Sequence, residues 1–164
     1  MTTAVTPRRR VRERTRGWRR GGAIIADRTT KYLGNPFTLD WAYALKLAEP
    51  GDRAAAHEAV VELYRKWLSG DRTHLDSDED DIRREQVLNR LPLLRGKDLA
   101  CPCRAHLRCH IEVLLQWANA EPRETEHYIA LARRRVDASR ARQGQTLLQH
   151  ILDSLTATKN RRTR

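Results

Sequence analysis

The chain is poor in several residues from which sites and cores are often built: it has one phenylalanine, one methionine and three cysteines, and only 5% of its residues are aromatic. No apolar run approaches the roughly 20 residues of a membrane helix. No apolar segment follows the basic N-terminus, so we expect no secretory signal. These absences predict a cytoplasmic protein without a membrane partner. There, an odd number of clustered cysteines favours thiols or metal ligands over a disulfide framework.

Three common site motifs are also missing. Gly21 and Gly22 stand alone, so the chain has no glycine-rich phosphate loop. It has no serine nucleophile elbow. The acidic run at residues 76–81 lacks the ligand spacing of a calcium loop.

Positive charge is abundant and lies at the two ends of the chain. The net charge is +11, of which residues 1–20 carry +7 and residues 159–164 carry +4, so residues 21–158 are neutral. Both ends are predicted to be basic tails, the first of them disordered because it is poor in apolar residues. Arginine tails attract polyanions without sequence recognition, which favours nucleic acid or a nucleotide as partner. The alternative is a tail that only aids solubility. The predicted tail contacts include Arg8, Arg9, Arg10 and Arg12.

Between the tails, the pattern predicts a small α/β domain over residues 21–120, with a few-stranded sheet and packed helices. Strands are expected at 23–26 and 97–101, and helices at 39–49, from 52 to about 70, at 79–91 and from 111 to just before Pro122. Two apolar stripes separated by Gly144 predict a helical hairpin over residues 121–158, a possible homodimer contact. The second stripe comprises Leu148, Ile151, Leu152 and Leu155.

All three cysteines lie within one short segment, Cys101 to His110, which is expected at the point where a strand ends and a helix begins. Sites in α/β proteins are often built there. Pro102 separates the first two cysteines, and Cys109 precedes His110.

Two motifs of the chain resemble the signatures of the domain of unknown function 4326 family, found in phages and bacteria. The segment Arg28-Thr29-Thr30-Lys31-Tyr32-Leu33-Gly34-Asn35-Pro36-Phe37 is similar to R-x-S/T-K-W-G-N-P-F, and residues 93–101 with Cys103 and Cys109-His110 are similar to L-R-G-K-x-L-x-C-W-C…C-H. The resemblance spans about residues 22–119. This chain departs from the pattern at Leu33, which is inserted, at Pro102, where tryptophan is usual, and at Ile111. The resemblance supports the domain limits and the choice of site residues but implies no activity.

One hypothesis is a site that recognises a phosphorylated ligand, with or without thiol chemistry. Cys109 would be its nucleophile and His110 the proton partner, at the start of a helix whose dipole stabilises a thiolate or a phosphate. The ligand-binding side chains expected around them are Arg28, Lys31, Asn35, Arg104 and Arg108.

The alternative hypothesis is a zinc-stabilised accessory protein that associates with nucleic acid and is not an enzyme. Cys101, Cys103 and Cys109 with either His106 or His110 supply the four donors of a zinc site, although the spacing is unusual. A third possibility is that the cysteines are simply small buried apolar residues, with Asn35 capping its own turn.

Overall fold

Three short parallel strands form the centre of the domain. The computed structural model describes residues 6–13 and 15–162, and the side chains of these except 147 and 149–162. The strands are β1 (Arg9–Val11), β2 (Ile24–Ile25) and β3 (Leu99–Cys101), in the order β1-β3-β2. The predicted α/β class, with a few-stranded sheet and packed helices, is confirmed.

The central strand is β3, and all three of its residues are buried. It pairs with β2 so that Ile24 lies opposite Leu99, and the two segments that the sequence predicts to be strands are neighbours in the sheet. A strand between two parallel neighbours and beneath helices is shielded from water, which explains its continuous apolar composition.

The first strand lies in the segment predicted to be a disordered tail, and this part of the prediction is wrong. Backbone hydrogen bonds from Leu99 N to Arg8 O at 3.1 Å and from Arg12 N to Cys101 O at 2.9 Å hold β1 against β3. Since strand pairing uses backbone groups, an arginine-rich segment pairs once a buried strand offers it a free edge. Residues 1–5 and 14 of the predicted tail lie outside the described residues, as do Thr163 and Arg164 of the second tail.

The described residues form five helices, and the first four of them lie where the sequence predicts helices. Asp52 caps α2 (Arg53–Leu68) by accepting from Ala55 N at 2.9 Å, and Ser77 with Asp80 forms a capping box at the start of α3 (Asp78–Leu94). The third helix continues past Pro92, the predicted end, but only to Leu94, and the proline removes one backbone hydrogen bond near its end. The helices are α1 (Leu39–Ala44), α2 (Arg53–Leu68), α3 (Asp78–Leu94), α4 (Ile111–Asn119) and α5 (Pro122–Arg162).

The predicted helical hairpin is replaced by one long helix, α5. Gly144 has nothing within 4 Å of where a Cβ would stand, and a helix-interior glycine costs only about 1 kcal/mol, so it does not end the helix. The first turns of α5 pack on the domain through Thr125, Ile129 and Ala132, which are buried. Leu148 is exposed, whereas the side chains of Ile151, Leu152 and Leu155 lie outside the described residues. Dimerisation through this segment stays a prediction.

Two glycines allow segments of backbone to approach each other closely. A Cβ on Gly70, which follows α2 with φ +98°, would stand 2.4 Å from the carbonyl oxygen of Ala132 on α5. A Cβ on Gly34 would stand 2.6 Å from Arg28 N and from Asp27 O. Both sites exclude a side chain, and Gly34 closes the turn that precedes α1. In the part of the chain that the structure describes, no helix is long and apolar enough to cross a membrane.

Candidate functional site

The candidate site lies at the carboxyl edge of the sheet. Because all three strands are parallel, the residues that follow them meet there: Arg12 after β1, Asp27 after β2 and Pro102 after β3. The cysteine segment runs from β3 to α4, as the sequence predicts. Ligands of open parallel sheets bind at this edge, since loops and helix N-termini converge there.

Three thiols form the floor of the site, and we call them the cysteine triad: Cys101, Cys103 and Cys109. Their Sγ atoms all lie within 4.8 Å of one another, and the Cys101 and Cys103 sulfurs are 3.5 Å apart. All three cysteines are free; Cys101 and Cys109 are buried and Cys103 is partly exposed. Pro102 turns the chain so that Cys101 and Cys103 face the same side, which simple strand alternation would not allow.

The three thiols differ in their acidity. Hydrogen bonds from Cys101 and Cys109 lower the pKa of Cys103, whereas the hydrogen bond with Cys103, together with burial, raises the pKa of Cys101. Contacts with Cys101 and Cys103, together with burial, raise the pKa of Cys109. Of the three thiols, Cys103 is therefore the one that ionises most readily. The predicted nucleophile, Cys109, is only 1% exposed and is held as a neutral thiol.

His110 is buried beside Cys109 with its tautomer set by its surroundings. Its Nε2 lies 2.7 Å from Ala26 O and 3.1 Å from Leu33 O, and since carbonyls only accept, Nε2 carries the proton. Nδ1 lies 3.7 Å from the Cys109 sulfur. Burial lowers the pKa of His110, so the ring is neutral near pH 7. The edge of the Tyr64 ring packs against it, with centroids 5.2 Å apart.

Arg9 binds the backbone of the loop that carries the cysteines. Its guanidinium donates to Leu107 O at 2.7 Å, to Cys103 O at 3.1 Å and to the carbonyl of Arg104, and it pairs with Glu112 at 3.2 Å. Arg9 is thus a positioning residue of the site rather than the free tail contact that the sequence predicts. Arg9 lies far from this loop in the sequence, so no local pattern indicates its role.

Arg12 also turns inward, towards Asp27. Burial alone would raise the pKa of Asp27, but hydrogen bonds from Thr29 and Arg12 hold it below its usual value. The other two predicted tail contacts, Arg8 and Arg10, are exposed, although Arg10 donates to Arg20 O at 3.1 Å.

The Arg28–Phe37 motif serves mainly to build one wall of the site. Arg28 donates to Asn35 O at 3.0 Å and to Phe37 O at 2.7 Å. Asn35 donates to Val60 O at 3.0 Å and accepts from Phe37 N at 2.9 Å, so both ends of its amide are bonded and it caps the turn. Lys31 lies over the ring of Tyr32, 5.3 Å from its centroid, and does not line the cavity described next.

Above the triad is a cavity of about 450 Å³, which we call the triad cavity. Its floor is the three cysteines, and Arg28, Asn35 and His110 form part of its wall. Two further predicted ligand-binding residues, Arg104 and Arg108, also line it, together with Arg53 and His57, which the sequence did not indicate. Most of the predicted site residues therefore lie around one cavity, while His106 is exposed and takes no part in the cysteine group.

The cavity residue that sequence reasoning missed most clearly is His57. It lies on the buried face of α2, among Ala56, Val60 and Val61, and is only 7% exposed. Its Nδ1 lies 3.1 Å from the carbonyl oxygen of Arg108, one residue before Cys109. The sequence signal that could have indicated His57 is its position within the apolar stripe of a predicted helix. It lies far along the chain from the cysteines, so the sequence does not connect it with them.

Comparison with known proteins gives a match to a protein family. No curated protein and no solved structure matches the sequence. A protein family described as a domain of unknown function, DUF4326, matches residues 11–120, which run from the end of β1 to the end of α4 and include the triad and the Arg28–Phe37 motif. Since that match covers more than half of the sequence, the chain belongs to the DUF4326 family.

Proposed function

We propose that this protein recognises a phosphorylated ligand, a nucleotide or a nucleic-acid phosphate, in the triad cavity. The observation that carries the proposal is the placement of four arginines, from three segments of the chain, around one cavity: Arg28, Arg53, Arg104 and Arg108. The cavity volume of about 450 Å³ falls within the range of sites that hold a small ligand.

The charge of this cavity is positive because its one carboxylate is neutralised. Asp27 is the only acidic residue of the lining, and its carboxylate accepts from Arg12 at 2.5 Å and from Thr29 N at 2.8 Å. Among the arginines, Arg28 is bound to backbone carbonyls and Arg108 pairs with Glu112 at 2.6 Å.

Arg53 and Arg104 are the arginines that remain for a ligand. Both side chains are exposed, and neither makes a hydrogen bond or an ion pair with another described residue. A guanidinium offers a planar pair of donors that matches a phosphate, and it stays charged at every physiological pH. The start of α4 contributes little, because Glu112 already accepts from Cys109 N at 2.9 Å. Recognition therefore depends on the two arginines.

The proposal is tested by calorimetric titration of the full chain with ADP, inorganic pyrophosphate and adenosine. We expect the two phosphorylated probes to bind and adenosine not to bind. Replacing both Arg53 and Arg104 by alanine should weaken binding about tenfold to a hundredfold, which corresponds to one or two charge-assisted hydrogen bonds.

A matched control is the pair Arg123→Ala and Arg134→Ala, which removes the same charge from exposed positions of α5 outside the cavity lining. The control pair should bind like the wild type. Absence of binding by either phosphorylated probe, or equal weakening in the two double variants, would show that the cavity arginines do not form a phosphate site.

A further inference from the structure

The cysteine triad already has the arrangement of a partial metal site. In a tetrahedral zinc centre with Zn–S bonds of about 2.3 Å, neighbouring sulfurs lie about 3.8 Å apart. The three Sγ atoms of the triad lie within 4.8 Å of one another, with those of Cys101 and Cys103 3.5 Å apart. Changes of about 1 Å or less in these distances therefore bring them to that geometry. Three thiolates supply three of the four corners, and the remaining question is which residue supplies the last.

His57 has a nitrogen without a partner in the same cavity. A carbonyl only accepts hydrogen bonds, so Nδ1 of His57 donates to Arg108 O, and the lone pair of the neutral ring is on Nε2. Nε2 is buried and has no hydrogen-bond partner among the described residues. A histidine ligand typically has one nitrogen donating to a carbonyl and the other directed at the metal. His57 has the first of these features, because its Nδ1 donates to a carbonyl. Its Nε2, which has no partner among the described residues, is available for the second.

We propose that Cys101, Cys103, Cys109 and Nε2 of His57 bind one zinc ion. The ring of His57 lies outside the group of sulfurs within 4.8 Å, so metal binding draws the ring and the triad together. Three thiolates and an imidazole suit zinc, and four protein donors close its coordination shell, as in structural sites. The proposal does not depend on the phosphorylated ligand.

The site would join three parts of the domain. Cys101 belongs to β3, Cys103 and Cys109 enclose the loop that bears Arg104 and Arg108, and His57 belongs to α2. A zinc ion bound to all of them would fix that loop against α2 and so hold the arginines of the cavity in place.

The rival fourth ligand is Nδ1 of His110. It lies 3.7 Å from the Cys109 sulfur, and its Nε2 donates to carbonyls. In the metal-free protein its Nδ1 is paired with the Cys109 thiol, whereas Nε2 of His57 is buried without a partner among the described residues. We therefore assign His110 to the outer shell, beside the Cys109 sulfur, and His57 to the metal.

The test is titration of the reduced, metal-free full chain with cobalt(II), followed by optical spectroscopy, and then displacement of cobalt by zinc. We expect one cobalt per chain, with the intense visible bands of a tetrahedral ion and thiolate-to-cobalt charge transfer. In the His57→Ala variant the charge transfer of three thiolates should remain. The visible bands should shift, and the affinity should fall at least tenfold to a hundredfold, roughly the loss caused by removing even an outer-shell partner.

His106→Ala is the matched control, because His106 is an exposed histidine of the same loop. It should leave affinity and spectrum unchanged. If the wild type binds no cobalt, the metal site is overturned. If His57→Ala binds like the wild type, or if only His110→Asn changes the spectrum, the assignment of His57 is overturned.

A second variant covers the case in which His57→Ala fails to fold. His57→Cys offers a fourth sulfur at the same position, and circular dichroism of the metal-free variants shows whether each is folded. Tight cobalt binding with the added charge-transfer intensity of a fourth thiolate supports the proposal. Binding with only the three-thiolate spectrum of the wild type overturns it.

Discussion

The guanidinium of Arg12 lies 2.5 Å from the Oδ2 atom of Asp27, and this ion pair joins the ends of the two outer strands across the carboxyl edge of the sheet. Arg12 follows β1 and Asp27 follows β2, so each strand end is tied to the other as well as to β3. The pair is mostly shielded from water, with the two side chains 22% and 6% exposed. An N-terminal arginine thereby supports the wall of the site, because Asp27 lines the triad cavity.

Replacing Asp27 by asparagine should lower the free energy of unfolding at pH 7 by about 1.5 to 3 kcal/mol, the value of hydrogen bonds to a charged group. The folded pKa of Asp27 lies below its ordinary value of 3.8. Its charge therefore stabilises the fold above that value, and the stabilisation is lost as the pH falls through the folded pKa. Urea denaturation between pH 7 and pH 2 measures this. A difference between variant and wild type that stays constant down to pH 2 would mean that the charge is not the cause.

Removal of residues 1–12 should destabilise the domain, in contrast to the expectation from a disordered tail. The deletion removes β1, the loop contacts of Arg9 and the Arg12 pair, for which we expect a loss of about 3 kcal/mol or more, at about 1 kcal/mol per hydrogen bond. Removal of residues 1–7 is the matched control, since it leaves β1 and the Arg8 carbonyl in place. Chemical denaturation of the two truncated chains compares them directly, and equal stability would contradict a structural role for β1.

Gly70→Ala should weaken the packing of α5 on the domain. The new Cβ would stand 2.4 Å from the Ala132 carbonyl oxygen, at a residue with φ +98°. We expect a loss of about 1 to 3 kcal/mol, the usual cost of a strained backbone, in thermal or urea denaturation. Gly144→Ala is the control within α5: the site is open, and alanine should stabilise the helix by up to about 1 kcal/mol. If Gly70→Ala left the free energy of unfolding unchanged, α5 would be able to move away from Gly70 at little cost.

Arg16, Arg19 and Arg20 are exposed between β1 and β2, and we expect them to provide most of any affinity for nucleic acid. Replacing all three by alanine should weaken binding to duplex DNA. It should also reduce the slope of log K against log salt by up to about 2.7, since each phosphate contact contributes about 0.9. Fluorescence anisotropy at several salt concentrations measures this.

The same charge can be removed from exposed positions of α5 by replacing Arg123, Arg134 and Arg142. That variant should keep the wild-type slope. If the two triple variants lose slope equally, total charge rather than the segment between β1 and β2 controls binding.

Local patterns were sufficient for elements that bury their own apolar residues. The apolar segments of β2 and β3, and the periodic stripes of α2 and α4, predict these elements because each pattern records which face is buried. Asn35 was also predictable as a capping residue, since its side chain bonds to its own turn. The cysteine triad was predictable as a cluster because its members are close in the sequence.

Other features depend on partners far away in the chain. β1 is arginine-rich and pairs only because β3 offers its edge, so no local signal marks Arg9 or Arg12 as structural. Lys31 was predicted to bind a ligand and His106 a metal, but neither lines the triad cavity. Proximity in a motif does not determine which way a side chain points. The continuous α5 also differs from the predicted hairpin, because a glycine in a helix is a modest local cost rather than a stop signal.

By itself, the sequence determined the class of the fold, the membership of the cysteine cluster and its position after a buried strand, since these follow from local periodicity and spacing. Only the tertiary structure decided which residues share the site. Parallel pairing brought Arg12, Asp27 and Pro102 to one edge of the sheet, and the packing of α2 placed His57 against the Arg108 carbonyl beside Cys109. Such neighbours are set by the burial of apolar faces across the whole domain, which no short segment encodes.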